Sequence, residues 1–174
     1  MKSEARSPRT EVVIALGSNL GDSQAVLREA IRRLEGLAES KFQQSSLWQS
    51  TPVDCPPGSP LFVNAAVAFV PAPDETPETL LARLQEIEKD LGRRPKKVLN
   101  EPRPLDLDLI AFGSEIRSTP QLTLPHPRAH LRRFVLEPLN EIVPDQILPG
   151  QSKSIRRLLA DLRNDEVTRK IRAD

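Results

Sequence analysis

The sequence has almost nothing that would cross-link the chain or anchor it in a membrane. It contains one cysteine among 174 residues, so no disulfide can form within the chain. The longest apolar run, residues 65–70, is far shorter than the roughly 20 residues that a membrane-spanning helix needs. Residues 1–10 mix charge with proline and show no secretory signal. We therefore expect no membrane association, a cytoplasmic location, and a flexible tail at residues 1–10 that precedes a single domain at 11–174.

Neither the charge nor the aromatic content favours a protein that binds nucleic acid. The 25 basic and 24 acidic residues nearly cancel, which leaves a net charge of +1. There is no tyrosine and only one tryptophan, and the aromatic run with which an RNA-binding sheet stacks bases is absent. Proline is abundant instead: the 17 prolines stand singly or in pairs between periodic segments, which is typical of rigid loops. We therefore expect a folded chain that does not bind nucleic acid.

Hydrophobic periodicity predicts alternating strands and helices in the first two thirds of the chain. Short β-branched runs and alternating apolar residues indicate strands, whereas apolar residues spaced by three and four indicate amphipathic helices. The predicted elements are strand 11–16, helix 22–37, strand 41–50, strand 61–70, helix 77–91 and strand 105–112. This is the β-α-β-β-α-β order of an α+β, ferredoxin-like fold, with an antiparallel sheet and helices on its faces. A short helical stretch within 128–140 and a helix from 154 to about 163 predict a C-terminal helical extension.

The strand predicted at 105–112 carries the first candidate chemistry. Asp106 and Asp108 are two residues apart, so a strand directs both carboxylates to one face and the intervening leucines to the other. Two adjacent carboxylates repel each other unless a cation lies between them. Oxygen-only ligands suit Mg²⁺, which shares its coordination with water and phosphate. Taken alone, the pattern fits a solvated sheet face with two acids at least as well.

Basic residues on both sides of this strand favour a site that binds phosphate. The loop 92–104 holds five basic residues against one acidic residue. The candidate phosphate ligands before and after the strand are Arg93, Arg103, His126, Arg128, Arg132 and Arg133. Acids that can hold Mg²⁺, framed by arginines that bind phosphate oxygens, are the components of a phosphoryl-transfer site. If these residues do not converge in the fold, each is explained as an ordinary surface or structural residue.

Three further features are weaker candidates. Phe62 and Asn64 lie on the strand face predicted to point away from the core, where a ring and an amide could bind a flat heterocycle. Their spacing alone favours a structural role. The loop 17–19 (Gly-Ser-Asn) follows a strand and precedes a helix, but it lacks both glycine-rich phosphate-binding patterns. Cys55 has no partner cysteine and shows no metal-binding pattern.

Four blocks of the sequence stand in an order and at spacings that are typical of one enzyme family. They are ALGSNLGD at 15–22, STPVDCPPGSPLFVNAAVAF at 50–69, LGRRPKKVLNEPRPLDLDLIAFG at 91–113 and LPHPRAHLRRFVLEPLNEI at 124–142. Over about residues 11–150 the chain thus resembles 6-hydroxymethyl-7,8-dihydropterin pyrophosphokinase. The resemblance implies transfer of the β,γ-diphosphate of ATP to the hydroxymethyl oxygen of 6-hydroxymethyl-7,8-dihydropterin, with release of AMP. It also implies that two Mg²⁺ ions act together with ATP. For the oligomeric state, which the sequence does not reveal, our expectation is a monomer.

The resemblance implies roles for individual residues as well. Asp106 and Asp108 would hold the metal ions and act in catalysis together with Arg93 and Arg103. The residues implied to bind the pterin are Thr51, Pro52, Val53, Phe62, Asn64 and Phe134, with the two phenylalanines on opposite faces of the ring. The residues implied to bind ATP are Gln85, Glu88, Arg93, Arg103, Leu109, His126 and Arg132. The loop 92–104 would act as a lid that excludes water from the reaction.

The loop 92–104 also departs from the family pattern. Many members have tryptophan where this chain has Asn100, arginines at the positions of Pro95 and Leu99, and threonine at that of Pro104. Asparagine cannot stack on a pterin ring, so lid closure or substrate affinity is expected to differ. The neighbouring lysines could supply the missing charge, as point charges rather than bidentate groups. The alternative hypothesis is a non-catalytic relative that binds pterin or nucleotide with an altered lid.

Overall fold

The computed structural model describes most of the chain. The described residues are 10–52, 55–94, 97–99, 101–164 and 166–172. The predictions made for the N-terminal tail up to residue 9, and those for Val53, Pro95 and Asn100, lie outside the described residues.

Strands and helices alternate along the described residues. In chain order they are β1 (Val12–Ser18), α1 (Ser23–Glu35), β2 (Ala38–Gln44), β3 (Trp48–Ser50), β4 (Phe62–Pro71), α2 (Pro77–Asp90), β5 (Asp106–Phe112), β6 (Arg117–Ser118), β7 (Thr123–Leu124), a 3₁₀ turn (Ala129–Leu131), α3 (Arg133–Ile142), α4 (Ile155–Asp161) and β8 (Thr168–Lys170). The two long helices begin where the sequence predicts them. Asp22 accepts a hydrogen bond from Ala25 N, and Thr76 forms a capping box with Thr79. None of the helices in these ranges is both long and apolar enough to span a bilayer.

The main sheet has the strand order of a ferredoxin-like fold. β5, β1 and β4 lie side by side, and both β2 and β3 pair with the far edge of β4. All of these pairs are antiparallel. α1 connects β1 to β2, and α2 connects β4 to β5. The predicted α+β fold class is therefore confirmed.

Successive residues of β4 enter two different cores. Ala65, Val67 and Phe69 join a core with α1 and α2, whereas Ala66 and Ala68 join one with α3 and α4. The alternation predicted from the sequence is therefore correct, and β4 is buried on both faces. Helices cover both sides of the sheet, with the predicted C-terminal extension on the second side.

Small residues of β1 lie opposite the two aspartates of β5. Gly17 pairs with Asp106, and Ala15 pairs with Asp108. On its other side, Gly17 pairs with Asn64 of β4. Because neither β1 residue carries a bulky side chain, space remains above three adjacent strands at this end of the sheet.

The region 41–50 differs from its prediction as one continuous strand. The chain forms β2 and β3 separately, with register shifts in the pairing of β2 with β4. Between the two strands, Ser45 N donates to Ala66 O at 2.9 Å, and Ser45 Oγ accepts from Ala66 N at 2.8 Å. A side-chain hydroxyl thus replaces a backbone acceptor where the strand is interrupted.

The sequence gives no signal for strand β8. Its three residues, Thr168–Lys170, lack the apolar alternation by which strands are identified. The strand nevertheless pairs antiparallel with β3, with Arg169 opposite Gln49, and extends the sheet at that edge. The predicted C-terminal extension therefore contains a strand as well as a helix.

Ile155 provides a test of how strongly the C-terminal extension is bound to the sheet. Its side chain is fully buried in the second core, whereas that of Ile147, in the same region, is 55% exposed. Ile155→Ala should lower the free energy of unfolding by about 2–4 kcal/mol, because it leaves a cavity. Ile147→Ala should change it by less than about 0.5 kcal/mol. Urea unfolding measures both values, and equal midpoints for the two variants would show that α4 is not part of the core.

Candidate active site

The open end of β1 forms the floor of a cavity of about 450 Å³. Side chains from β4, β5, the loop 92–104 and the start of α3 make its walls. The predicted site residues that line it are Thr51, Phe62, Asn64, Arg93, Arg103, Asp106, Asp108, His126, Arg132 and Phe134. The convergence that sequence alone could only assume is therefore present in the fold.

Asp106 and Asp108 both face this cavity, as the spacing on the strand predicts. Arg93 Nη1 donates to Asp106 Oδ1 at 2.6 Å, and Arg103 Nε lies 3.8 Å from Asp106 Oδ2. Both ion pairs are largely shielded from solvent, since the two arginine side chains are 20% and 14% exposed. The ends of the basic loop are thus held against the first carboxylate.

The surroundings of the second carboxylate, that of Asp108, disfavour its ionised form. Burial, followed by the negative charge of Asp106, raises the pKa of Asp108 to about 7. The positive charges of Arg132 and Arg93 oppose this shift but do not cancel it. A buried acid with this pKa is poised to bind a cation or a proton, and its cost to folding favours a functional role.

Glu88, which the resemblance implies to bind ATP, ties α2 to the base of this cluster. Its Oε2 accepts from Leu107 N at 2.8 Å and from Arg93 Nη1 at 3.0 Å. Burial raises the pKa of Glu88, and the hydrogen bond from Leu107 N opposes that rise. The carboxylate therefore orients Arg93 and lies beneath the cavity rather than in its wall.

Three other predicted residues do not line the cavity. Gln85 is exposed on α2, and the side chain of Leu109 is buried in the core on the face of β5 opposite the aspartates. Pro52 is half-buried beside the cavity residue Thr51. Val53 lies outside the described residues. Of the three consecutive residues implied to bind the pterin, Thr51, Pro52 and Val53, the structure places Thr51 at the cavity.

Two phenylalanines face the cavity from different elements. Phe62 comes from β4 and Phe134 from the first turn of α3. A guanidinium group covers each ring: the Cζ of Arg103 lies 5.3 Å from the centroid of Phe62, and that of Arg132 lies 5.5 Å from the centroid of Phe134. Aromatic surface and positive charge therefore alternate along one wall, which suits a ligand that has both a flat ring and an anionic chain.

The amide of Asn64 lies next to Gly17, the residue of β1 with which Asn64 pairs. It is 2% exposed, and its Nδ2 donates to Ser50 Oγ at 2.6 Å. A Cβ atom on Gly17 would lie 3.6 Å from Asn64 Oδ1, so the amide oxygen faces the open space above that glycine. Ser50 thus fixes the orientation of Asn64 and leaves its oxygen as an acceptor.

His126 enters the site as a neutral side chain. Burial, and then the positive charge of Arg132, lower the pKa of His126 to about 4. Its Nδ1 accepts a hydrogen bond from Arg128 N at 3.2 Å, which leaves the ring proton on Nε2. At neutral pH the ring can donate a hydrogen bond but carries no charge.

Asn19, in the loop 17–19 that is only a weak candidate by sequence, has a supporting role that sequence reasoning missed. The loop 17–19 resembles a phosphate loop only superficially, and in the fold it connects other loops. Asn19 Oδ1 accepts from Arg103 N at 2.9 Å, Asn19 N donates to Arg103 O at 3.1 Å, and Asn19 Nδ2 donates to Pro60 O at 3.4 Å. The only signal in the sequence was a polar residue directly after an apolar strand. In the fold, Asn19 is 2% exposed. Arg103 is therefore fixed through its backbone, while its Nε makes no hydrogen bond within the described residues.

Curated relatives resemble the chain at well over a third identity. A Bacillus subtilis protein named 2-amino-4-hydroxy-6-hydroxymethyldihydropteridine pyrophosphokinase is 41% identical over 130 residues, 74% of this chain and 75% of that protein. A Pseudomonas aeruginosa protein of the same name is 37% identical over 150 residues, 86% of this chain and 90% of that protein. The mitochondrial folate synthesis bifunctional protein of Arabidopsis thaliana is 39% identical over 140 residues, but the match spans only 24% of its length.

Solved structures and a family model give the same result. A Plasmodium falciparum HPPK-DHPS crystal structure has a TM-score of 0.66 at 12% identity, over 90% of this chain and 45% of that chain. Another HPPK-DHPS structure, in complex with substrates, has a TM-score of 0.64 at 14% identity, over 88% of this chain and 43% of that chain. These likenesses support the fold. The family model for 7,8-dihydro-6-hydroxymethylpterin-pyrophosphokinase (HPPK) matches residues 13–144, and the chain therefore belongs to this family.

Proposed function

We propose that this protein transfers the diphosphate of ATP to the hydroxymethyl oxygen of 6-hydroxymethyl-7,8-dihydropterin and releases AMP, as a step of folate biosynthesis. The observation that carries the proposal is that one cavity unites paired carboxylates, arginines, two aromatic rings and a buried amide. The names of the single-function bacterial relatives state the same activity. We also propose that the protein is a monomer and that residues 11–174 form one domain.

The apolar end of the cavity would bind the pterin. Phe62 of β4 and Phe134 of α3 both offer ring faces to the cavity, and Asn64 presents its amide oxygen to a donor on the edge of a heterocycle. For a ring to lie against Phe62, the guanidinium of Arg103 has to leave the face that it now covers. Substrate binding would thus move an arginine toward the phosphate end of the cavity.

The basic end would bind the phosphates of ATP. Arg93, Arg103 and Arg132 line this part, and neutral His126 can donate one more hydrogen bond. The attacking hydroxyl and the β-phosphorus need to lie in line, with AMP leaving on the far side. The arginines would stabilise the charge that develops on the transferred group. Holding the two substrates close together and in line would provide the remaining rate enhancement.

The two aspartates fit a divalent cation. They face the same cavity from one strand, and burial, followed by the negative charge of Asp106, raises the pKa of Asp108. Asp106 now neutralises its charge with arginines instead. Among the described residues no third acid, histidine or cysteine joins them as a ligand, so substrate oxygens and water would complete the coordination. Asp106 and Asp108 would hold Mg²⁺, two ions by our proposal, which neutralises phosphate charge and lowers the pKa of the attacking hydroxyl.

The tip of the basic loop would close over the bound nucleotide. Val98 is 56% exposed and Leu99 is 78% exposed, although both are apolar. The loop begins at Gly92, whose φ of +104° favours glycine, and its ends are held through Arg93 and Arg103. Closure would bury these side chains and exclude water, so that ATP is not hydrolysed.

The first prediction is that AMP forms from Mg·ATP only when the pterin is present. Asp108→Asn should lower this rate at least about 10³-fold, because charge on the transferring group is no longer neutralised. Asp90→Asn, a surface acid that pairs with Arg33 outside the cavity, should leave it unchanged. AMP is measured by chromatography in timed samples. AMP formation without the pterin, or none with it, would contradict the proposed activity.

A second prediction concerns stability and pH. Since the pKa of Asp108 is about 7 when folded and about 4 in an unfolded chain, the folded protein binds more protons between these values. Ionised Asp108 therefore destabilises the ligand-free fold increasingly as the pH rises from 4 to 7. His126 acts oppositely, because folding lowers its pKa to about 4 and stability is lost as the pH falls below about 6.5. The test must therefore compare a variant with the wild type at each pH.

The melting temperature of Asp108→Asn should exceed that of the wild type by about 3 °C or more at pH 8, and the gap should close near pH 4.5. Scanning calorimetry without nucleotide or metal measures both. Asp90→Asn, which removes a surface carboxylate outside the cavity, is the matched control. A constant gap for Asp108→Asn would mean that its carboxylate does not titrate as described.

A third prediction separates the two ends of the cavity. Phe62→Ala should weaken pterin binding by about 1–3 kcal/mol and barely change the affinity for a non-hydrolysable ATP analogue, because only the ring stacks on Phe62. Phe62→Tyr keeps an aromatic face and should retain most of the pterin affinity. Isothermal titration gives both affinities for each variant. Equal losses for the two ligands would show that Phe62 acts as core rather than as a platform.

A further inference from the structure

The end of the chain lies against the site although the family match stops at residue 144. Residues 162–164 and 166–171, here called the C-terminal strap, run past the start of α3 and along β3. β3 leads directly into Thr51, and α3 begins one residue before Phe134. The strap thus reaches the two elements that place the proposed pterin walls.

Glu166 caps α3 from a distant part of the chain. The residue before this helix, Arg132, makes no side-chain capping hydrogen bond. Glu166 Oε2 instead accepts from Arg133 N at 3.0 Å, across 33 residues of sequence. A carboxylate at this position satisfies an exposed amide and interacts favourably with the helix dipole. Asn164 Nδ2 donates to the same oxygen and to Leu131 O, which orients the carboxylate.

Val167, the residue after Glu166, binds to Thr51 at the end of β3. Thr51 N donates to Val167 O at 3.2 Å, and Val167 N donates to Thr51 Oγ1 at 3.4 Å. Thr51 lines the cavity, and Ser50 beside it is the hydrogen-bond partner of Asn64. Consecutive residues of the strap therefore contact the two elements that carry the cavity residues Thr51 and Phe134.

The far end of α3 is fixed through the same strap. Glu141 accepts hydrogen bonds from Ser46 N at 3.1 Å and from Trp48 Nε1. Lys170 Nζ lies 3.4 Å from Glu141 and 5.9 Å from the centroid of the Trp48 ring. α3 is therefore held at both ends by carboxylate contacts that involve β3 and the strap.

We propose that the C-terminal strap, through Glu166, sets the spacing of the two walls that bind the pterin, and that Glu166 is a positioning residue for this substrate. The inference rests on the proposed function. Glu166 touches neither ring, so its effect passes through the amide of Arg133 to the helix turn that carries Phe134. Nothing comparable connects Glu166 to the β5 carboxylates among the described contacts. Its removal should therefore affect pterin binding and spare the nucleotide.

Binding measurements test the selectivity of this effect. In Glu166→Ala, we expect the Kd for 6-hydroxymethyl-7,8-dihydropterin, titrated with saturating non-hydrolysable ATP analogue and Mg²⁺, to rise about tenfold. The Kd for the ATP analogue should stay within about twofold. Glu166→Gln keeps an oxygen acceptor and should lie between the wild type and Glu166→Ala. Asp161→Ala is the matched control, because within the described ranges that carboxylate pairs with Lys153 and Arg157 at the surface of α4.

A measurement without ligand keeps the inference testable if the proposed function fails. The backbone amide of Arg133 should exchange its hydrogen at least about tenfold faster in Glu166→Ala than in the wild type. The fluorescence of Trp48, the only tryptophan, should stay as in the wild type if β8 remains paired. Asn164→Ala, which leaves the carboxylate in place, provides a milder variant if Glu166→Ala does not fold, with an expected increase of about threefold in both the exchange rate and the pterin Kd.

The outcomes separate the two proposals. A wild-type protein that binds no pterin refutes the proposed function, while the exchange rate of Arg133 still decides whether Glu166 holds α3. Unchanged exchange in Glu166→Ala overturns the inference. An unchanged pterin Kd, or equal losses for pterin and ATP analogue, overturns it as well.

Discussion

The repulsion between Asp106 and Asp108 is the interaction around which the cavity is organised. One strand places the two carboxylates side by side, and burial prevents water from screening them fully. Arg93 and Arg103 reduce the repulsion from one side, at 2.6 and 3.8 Å from Asp106. Glu88 in turn orients Arg93. A cation could therefore replace the arginines beside Asp106, and phosphate groups could replace Asp106 beside the arginines.

The small residues of β1 leave space between the aspartates of β5 and the side chains of β4 that could bind a ring. Bulky side chains at Ala15 or Gly17 would fill the space between β4 and β5 and separate the amide of Asn64 from the aspartates. Asn19, which follows on the same strand end, holds the backbone of Arg103. The end of one strand thus supplies both the open floor and the anchor for the loop above it.

The sequence predicts those features that depend on local periodicity. The face shared by Asp106 and Asp108 and the alternation along β4 follow from the period of a strand, and both are confirmed. The contacts of Asn19 and Glu166 were missed because their partners lie 84 and 33 residues away. Strand β8 was missed since its pairing depends on an edge that only the folded sheet provides. The contact of Glu88 with Arg93 was not predicted either, because the family resemblance implies only that Glu88 binds ATP, and that role stays a prediction. Local rules thus identify which groups can react, whereas long-range contacts determine how they are held.

The two substrates of the proposed reaction require different kinds of support. A flat ring between Phe62 and Phe134 makes good contact only if the walls keep one spacing, because dispersion attraction falls steeply with a gap of less than 1 Å. α3 accordingly has fixed contacts at both ends. A phosphate chain is bound by long arginine side chains, which can follow it as it moves along the reaction path. Hydrogen bonds far from the ligand would therefore improve pterin binding by fixing the position of the rings. Phosphate binding would benefit from a loop that is anchored at its ends and exposed at its tip.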